Sequence, residues 1–488
     1  MYSKNRLKLI TWNANSLKDK VRVLKFEISQ NNFDIIGISE TRLDDKFKIN
    51  IPGYSVYRSD RNSRGGGVAL IVNNNLKHYQ YTLPNLNNIE AVAIKMYCES
   101  TEILVVQVYV PQNKMCNSDL NKLFHIYARV IVMGDFNSRR IEWNCFAANK
   151  NGNILIDYCF NKQITISASK LPTHHPKIGR PSIIDFFLIK NFQQISEPET
   201  LNILSSDHNP VLIVLNDNQE RIFKSYYDYK HADWNLFCKY LDKQIDLNFH
   251  IKNREEVELK ANELTNLIIQ SANLYIPRKK NEFSSPKFPL YIKELIKLKN
   301  KYRRINQQCN SKINKLKLKV LQKVVNDTIR NWNNSNWHSF ISKCKANDGS
   351  LWKLIKRYKK KHSSIPPLTV NNEVKYDNDE KANAFTDQFG ILSNQNNTSL
   401  NNNHTKLVNS TVNKYLTKNT VEVFEFKVVH PHEVVEILRT FKNNKAPGCD
   451  FITPIMLKNI SYKSIVMLTK IFERHVQCRI FPIVLENR

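Results

Sequence analysis

VIVMGDFN, residues 130–137, is the stretch that decides the fold. Its apolar half reads as a strand buried on both faces. It ends on Asp135 and Asn137, two residues apart and so on one side of an extended segment. The same pattern recurs at TWNANS (11–16), ISET (38–41), VYVPQ (108–112), SIIDFFL (182–188) and SSDHNPV (205–211). Each apolar run is joined to a carboxylate, amide, hydroxyl or imidazole. One such ending alone is an Asx turn or a solvated acid. Six in order, closing on Asp207 and His208, supply what metal-assisted phosphodiester hydrolysis needs: a metal-binding acid, a water-orienting acid, neutral phosphate donors and a His–Asp pair.

Outward from these motifs, LKLITWN, FDIIGIS, GGGVALIV, EAVAIKM, EILVVQVYV, VIVMGDF, SIIDFFLI and NPVLIVL read as strands. Helical patterns fall between them at 19–32 and 152–163. Strands mixed with helices and hairpins make residues 1–217 an α/β domain. RNSRGGG at 61–67 lacks the Lys-Ser/Thr of a phosphate-binding loop and reads as a hairpin turn. Beyond 216 the chain turns helical and polar. The spacing of Val257, Ala261, Leu264, Ile268 and Tyr275 predicts one helix. A long basic helical pair follows at 290–345, with Trp332 and Trp337 at spacing that favours burial over base stacking. We assign 218–392 as a basic helical connecting region, 393–423 as a loose Asn/Ser-rich linker and 424–488 as a further structured segment.

The charge is uneven. The formal net charge is +29; residues 1–215 carry 26 Lys and Arg against 18 Asp and Glu, leaving 47 against 26 for the rest. Such an excess implies a polyanion, with nucleic acid as the default partner. A solvated Lys-rich surface is the plain alternative. Nine cysteines without a CxxC pair argue against a disulfide framework or zinc knuckle. No apolar run spans a membrane, and MYSKNRLKLITW has no signal-peptide core, so a nuclear and cytoplasmic protein without membrane partners is expected.

The residue types assign the chemistry. Glu40, after a buried strand, suits a hard divalent ion: Mg2+, with Mn2+ as the alternative. Asn13 offers a neutral amide beside it, or else closes an Asx turn. Asp135 orients or deprotonates the attacking water, and Asn137 donates to the phosphate. His208 stabilises developing charge or delivers a proton, with Asp185 as the carboxylate that orients it. Tyr109 is a phosphate donor or a packed strand residue. Adjacent His174 and His175 make a poor chelate; with Thr173, Lys177 and Arg180 they read as a DNA-contacting loop. Arg139 and Arg140, directly after GDFN, join that set.

The motif set resembles the endonuclease/exonuclease/phosphatase superfamily. TWNANSL, SETRL, GDFNSRRIEWNC, LPTHHPKIGRPSIIDFFLIK and LSSDHNPVLI are similar to the endonuclease of jockey-type non-LTR (LINE-like) retrotransposons. LRTFKNNKAPGCDFITPIMLKNI resembles the first fingers motif of their reverse transcriptase. The resemblance implies a four-layer α/β sandwich, two packed sheets flanked by helices, followed by a mostly helical basic region and a partial fingers segment. It implies Glu40, Asn13 and Asp207 at the metal, Tyr109 and Asn137 on phosphate, Asp135 on water and Asp185 behind His208. Double-stranded target DNA and element RNA are the implied partners, with no small-molecule cofactor.

Three departures stand out. The interval between VYVPQ and MGDFN is short, which predicts a clipped helix. Phe451 follows Asp450, where the fingers motif has glycine. No YxDD motif occurs, so reverse transcription is not expected from this chain. The reading is a Mg2+-dependent DNA endonuclease that leaves a 3′-hydroxyl. The alternatives are an apurinic-site or other phosphoesterase of the same superfamily, or an inert nucleic-acid-binding remnant.

Overall fold

The buried runs become strands whose polar ends meet at one edge. The computed structural model describes residues 6–61, 65–98, 101–125, 127–216, 225–280, 288–309, 311–345, 349–359, 368–371, 373–375, 378–395, 402–417, 428–443, 445–448 and 450–478. The chain divides into two compact units, Met1–Ile222 with Glu282–Leu392, and Phe223–Asn281 with Ser393–Arg488.

In the first unit the elements run β1 (Leu7–Asn13), α1 (Val21–Asn31), β2 (Ile35–Ser39), β3 (Tyr54–Ser59), β4 (Val68–Asn73), β5 (His78–Tyr81), β6 (Glu90–Cys98) and β7 (Thr101–Tyr109). They continue with α2 (Asn117–Phe124), β8 (Arg129–Asp135), α3 (Lys150–Asn161), β9 (Thr165–Ser167), β10 (Asp185–Lys190), β11 (Glu199–Thr200) and β12 (Val211–Leu215). One six-stranded sheet has the order β11-β12-β1-β2-β4-β3, the other β5-β6-β7-β8-β10-β9. All eight predicted strands are present. The four that were not predicted, β3, β5, β9 and β11, are short or half-buried and lack a run of buried apolar residues.

Period-two alternation sorts each strand between two cores. On β7, Ile103 and Val105 face the other sheet, while Leu104, Val106 and Val108 face the helices. Leu9, Ile35, Leu70, Val105, Ile131 and Phe187 fill the space between the sheets. Burying each such side chain contributes roughly 1.5–3 kcal/mol. The inter-sheet layer turns polar beneath the site: Thr11 Oγ1 donates to Gln107 Oε1 at 3.2 Å, and Gln107 Nε2 donates to Ser39 Oγ at 2.8 Å. A Cβ at Gly37 would lie 1.8 Å from Gln107 Oε1. At Gly134 it would lie 2.0 Å from the Val108 carbonyl oxygen, so the glycine of GDFN lets β7 and β8 close up.

Helices cover both outer faces, as the four-layer expectation requires. α2 and α3 lie on the second sheet through Leu120, Leu123, Leu155 and Cys159. The interval before GDFN is short, yet it holds α2, and Asp119 on that helix accepts the backbone N–H groups of Asn87, Asn88 and Ile89. The first sheet is covered by α1 and by two helices from much later in the chain. After β13 (Ser225–Tyr227), α4 (Trp234–Gln244), α5 (Arg254–Tyr275) and β14 (Arg278–Lys280) come α6 (Leu290–Gln308) and α7 (Lys312–Ser342). Ile292, Ile296, Val325 and Ile329 of these two pack in one cluster with Val21, Leu24 and Ile28 of α1. Trp332 packs there edge-on against Phe288, ring centroids 5.1 Å apart, while Trp337 is 41% exposed.

The second unit is helical. After α8 (Ser350–Lys359), β15 (Leu368–Val370), β16 (Glu373–Lys375) and most of α9 (Asn378–Gln395), which belong to the first unit, it adds α10 (Asn402–Thr417), α11 (Pro431–Thr440), α12 (Pro454–Lys458) and α13 (Tyr462–Cys478). Phe237, Leu241, Val257, Leu264, Ile268, Val434, Met456 and Met467 form its core. The predicted loose linker is helical over α10, where Val408, Val412 and Leu416 recur at i, i+4 and i+8 within the Asn/Ser-rich composition. Residues 396–401 and 418–423 of that linker, and 424–427, 444, 449 and 479–488 of the predicted fingers segment, lie outside the described residues, as do 62–64 of the RNSRGGG turn. Phe451 adopts φ 56°, a left-handed conformation that favours glycine and costs a bulky residue roughly 1–2 kcal/mol. Among the described residues, no helix is long and apolar enough to cross a membrane.

Candidate active site

Strand register assembles the site. β7 and β8 are parallel with Tyr109 beside Asp135, and β8 and β10 are antiparallel with Asp185 beside Asp135. β1 and β2 are parallel with Asn13 beside Ser39, one residue before Glu40. Three strands of one sheet and two of the other therefore end together. Two carboxylates directly opposite each other on adjacent strands repel. The neighbouring groups offset that repulsion.

Asn13 Nδ2 donates to Asp135 Oδ2 at 2.8 Å and to Glu40 Oε1 at 3.0 Å, bridging the two sheets. Its Oδ1 accepts the Asn15 N–H at 2.9 Å. An amide ligates a cation through oxygen, and this oxygen keeps a second lone pair. Asn13 thus aligns two carboxylates through its amide nitrogen, in keeping with the expectation that it sits at the metal. Glu40 is half-buried and ion-paired with Arg42 at 2.5 Å. Both hold left-handed φ values of 48°, costly for such residues and common where a site over-determines its backbone.

His208 Nδ1 lies 2.8 Å from Asp185 Oδ2. Burial opposes the imidazolium. The charge and hydrogen bond of Asp185, with Asp135 and Asp207 beyond, outweigh it and raise His208 to about 9. At neutral pH the ring is a cation. Burial first, and the Asp185 charge second, hold the Asp135 carboxyl well above the usual carboxylate range. Burial and the nearby Glu40 and Asp135 push the Tyr109 phenol up, so it stays a neutral donor. Burial would raise Asp207, but Asn15 Nδ2 at 2.9 Å and the His208 charge hold it below its ordinary value.

The GDFN loop is pinned from α3. Asn137, at φ 45°, donates its N–H to Asp135 Oδ1 and its Nδ2 to the Val110 carbonyl at 2.9 Å. The N-cap Asn149 accepts from Arg139 N and Gly152 N and donates to the Asn137 carbonyl at 2.7 Å. Asn151 Nδ2 reaches the Phe136 carbonyl at 3.3 Å.

The proposed DNA-contacting loop divides. Lys177 and Arg180 are exposed, with Arg180 lying over the Phe146 ring at 3.7 Å. Arg139 is half-buried. Arg140 is half-buried too, its guanidinium engaged by Glu142 and by Asn153 at 2.7 Å. Thr173 is fully buried, and its hydroxyl donates to Asp185 Oδ2 at 2.8 Å. A side chain without exposed surface has none to offer a phosphate, so Thr173 belongs behind the Asp185–His208 pair. His174 stacks near His208, ring centroids 4.4 Å apart, and burial with the His208 charge lowers it to about 4.

Among the described residues, Asp135, Asp185 and His208 bring one ligand atom each within 4.8 Å of one another, and so do His174, Asp207 and His208. Asp185 lies opposite Asp135, Asn13 ties Asp135 to Glu40, Asp207 lies beside His208, and Asp185 Oδ1 is buried without a hydrogen-bond partner. An oxygen-rich, over-acidic set fits a hard divalent cation. Sequence reasoning missed Asn149 and Asn151, whose only signal was the Asn-rich AANKNGN after GDFN. It also missed Lys20, which donates to the Asn15 carbonyl at 3.0 Å and which burial lowers to about 8 against the pull of Asp207.

The chain is similar in sequence to known proteins. A family model described as Endonuclease-reverse transcriptase matches residues 103–212. The RNA-directed DNA polymerase from mobile element jockey of Drosophila funebris is 23% identical over 98% of this chain and 53% of its own length. The probable RNA-directed DNA polymerase from transposon BS of Drosophila melanogaster is 23% identical over 98% of this chain and 54% of its own. The chain thus spans about half the length of these curated relatives. The solved endonuclease domain of TRAS1, a telomere-specific non-LTR retrotransposon, is similar at 21% identity and a TM-score of 0.38, covering 43% of this chain and 98% of that domain. In sequence the chain is thus similar to proteins of jockey-type non-LTR retrotransposons, and its N-terminal part carries a phosphodiester hydrolase domain of the endonuclease/exonuclease/phosphatase type.

Proposed function

We propose that this chain is a Mg2+-dependent DNA endonuclease that nicks one strand and leaves a 3′-hydroxyl. The observation that carries the reading is the Asp135–Asp185 pair, with His208 bonded to one and Asn13 linking the other to Glu40. Asp135, raised toward neutrality in a buried setting, suits a base that takes a proton from the attacking water. His208, protonated and oriented by Asp185, offers its Nε2–H to a phosphoryl oxygen as negative charge builds. Tyr109 and the remaining N–H of Asn137 serve as neutral donors to the same phosphate. The water oxygen–phosphorus bond forms, the phosphorus–O3′ bond breaks, and the departing oxygen takes up a proton. Glu40, with Asp207, holds the ion, which when bound supplies Lewis-acid stabilisation of charge on phosphate.

Exposed Lys177 and Arg180 contact the DNA backbone, and the basic excess of 216–488 holds DNA or element RNA through phosphates. In the relatives' setting, the freed 3′-hydroxyl would prime polymerisation. The test is end analysis on a labelled duplex, intact or with one abasic site, cut by the full chain in Mg2+. Cutting of intact duplex to ends that a DNA polymerase extends supports the reading. Cutting confined to the abasic site favours a repair nuclease instead.

A further inference from the structure

α6 is far from the motifs in sequence, yet three of its side chains enter the loop that carries His208. Lys299, Arg303 and Gln307 fall at i, i+4 and i+8, one stripe of the helix. Lys299 and Arg303 are 1% and 2% exposed. A buried cation is costly unless its donors are satisfied. Here the loop satisfies them. Arg303 donates to the carbonyls of Ile203 at 2.6 Å, Leu204 at 3.2 Å and His208 at 2.7 Å, and to Asn209 Oδ1 at 2.5 Å. Lys299 Nζ donates to the Leu204 carbonyl at 3.3 Å and Ser205 Oγ at 2.9 Å. Gln307 Nε2 donates to Asn209 Oδ1 at 2.9 Å.

The loop needs holding. Leu204 has φ 64°, a conformation that leucine rarely adopts, and its side chain is buried with Ile292 and Ile296 of α6. Five residues after Ile203 the loop delivers His208 to Asp185. The acceptors converge on one point from several directions, which suits a planar guanidinium with five donors and not a lysine with three.

We infer that Arg303 is a positioning residue for the hydrolytic site: from α6 it fixes the 201–209 loop, and through it the His208–Asp185 pair. The working unit therefore extends past the last motif to include α6. The catalytic part of this inference rests on the proposed hydrolase reading; the anchoring of the loop does not.

The test uses the full chain with Arg303→Met, Arg303→Lys and Gln307→Leu. Plasmid nicking in Mg2+ is measured alongside hydrogen exchange of the 201–209 amides. Arg303→Met is expected to lower kcat by about 10–100-fold, with KM for DNA changed by less than about threefold. Its loop amides exchange faster while those of β1 and β8 keep their protection, and Arg303→Lys recovers part of both effects. Should Arg303→Met fail to fold, Gln307→Leu, which removes the two outer bonds to Asn209, shows a smaller loss of kcat with the same faster loop exchange. Wild-type kcat and wild-type loop exchange in Arg303→Met overturn the inference. So does Gln307→Leu at wild-type values when Arg303→Met is globally unfolded. A wild-type chain that does not nick sinks the hydrolase reading instead, and loop exchange then decides the anchoring by itself.

Discussion

The floor of the site and its rim are built from opposite materials. On the floor, Asp135, Asp185, Thr173 and His208 are at most 5% exposed and bonded to one another or to Asn13. On the rim we propose, Glu40 is half-buried against an exposed Arg42, and Lys177 and Arg180 are exposed. Water screens rim charges, which suits reversible binding of a cation and of phosphates. Desolvation moves protons on the floor, which suits acid–base work near neutral pH. Changes on the floor should therefore alter kcat, and changes on the rim should alter KM and salt dependence.

The largest break is expected from Asp135→Asn and His208→Ala, each lowering kcat by about 100- to 10,000-fold in single-turnover nicking with DNA affinity kept. Equal loss of affinity would erase the distinction between floor and rim. Next comes Thr173→Val, which leaves Asp185 without one donor and should cost about tenfold in kcat and roughly 1–2 kcal/mol of stability by denaturant titration.

The third prediction concerns pH. His208 binds its proton more tightly folded than unfolded, so its contribution to stability is full below about 6.5 and is lost as pH rises through about 9. Asp135, also raised, acts in the same direction at lower pH. Metal-free protein should thus lose roughly 3 kcal/mol between pH 6.5 and 9 from His208 alone. His208→Gln should flatten that fall in thermal melts; an unchanged slope would place the linkage elsewhere.

The smallest effect belongs to the rim. Lys177→Ala with Arg180→Ala should reduce the slope of log affinity against log salt by about 2, with kcat within about twofold. Arg140→Ala should do less, because Glu142 and Asn153 already engage that guanidinium.

Most of the floor was legible in the sequence because strand ends are rigid and each polar residue there follows an apolar run. Asp135, Asp185 and His208 were read that way, as were eight strands and the helices α1, α3 and α5. What stayed hidden depends on long-range packing. Thr173 looked like a basic-loop residue because its neighbours are Lys177 and Arg180; only the antiparallel approach of 173–174 to Ser182 turns its hydroxyl to Asp185. Arg303 sits in YRRINQQ, where a buried arginine and its exposed neighbour Arg304 look alike. α6 and α7 read as a connecting pair because their apolar stripe gives no hint of which sheet it covers. A protein cut after 217 would leave Val21, Leu24 and Ile28 without these partners.

The most direct test of the account is nicking of supercoiled plasmid by the full chain, with Mg2+ or with EDTA, beside Glu40→Ala and Asp135→Asn. The account predicts open-circular product in Mg2+, none in EDTA, and loss in both variants while each keeps its folded spectrum. Nicking that survives EDTA, or that persists undiminished in Asp135→Asn, would contradict it.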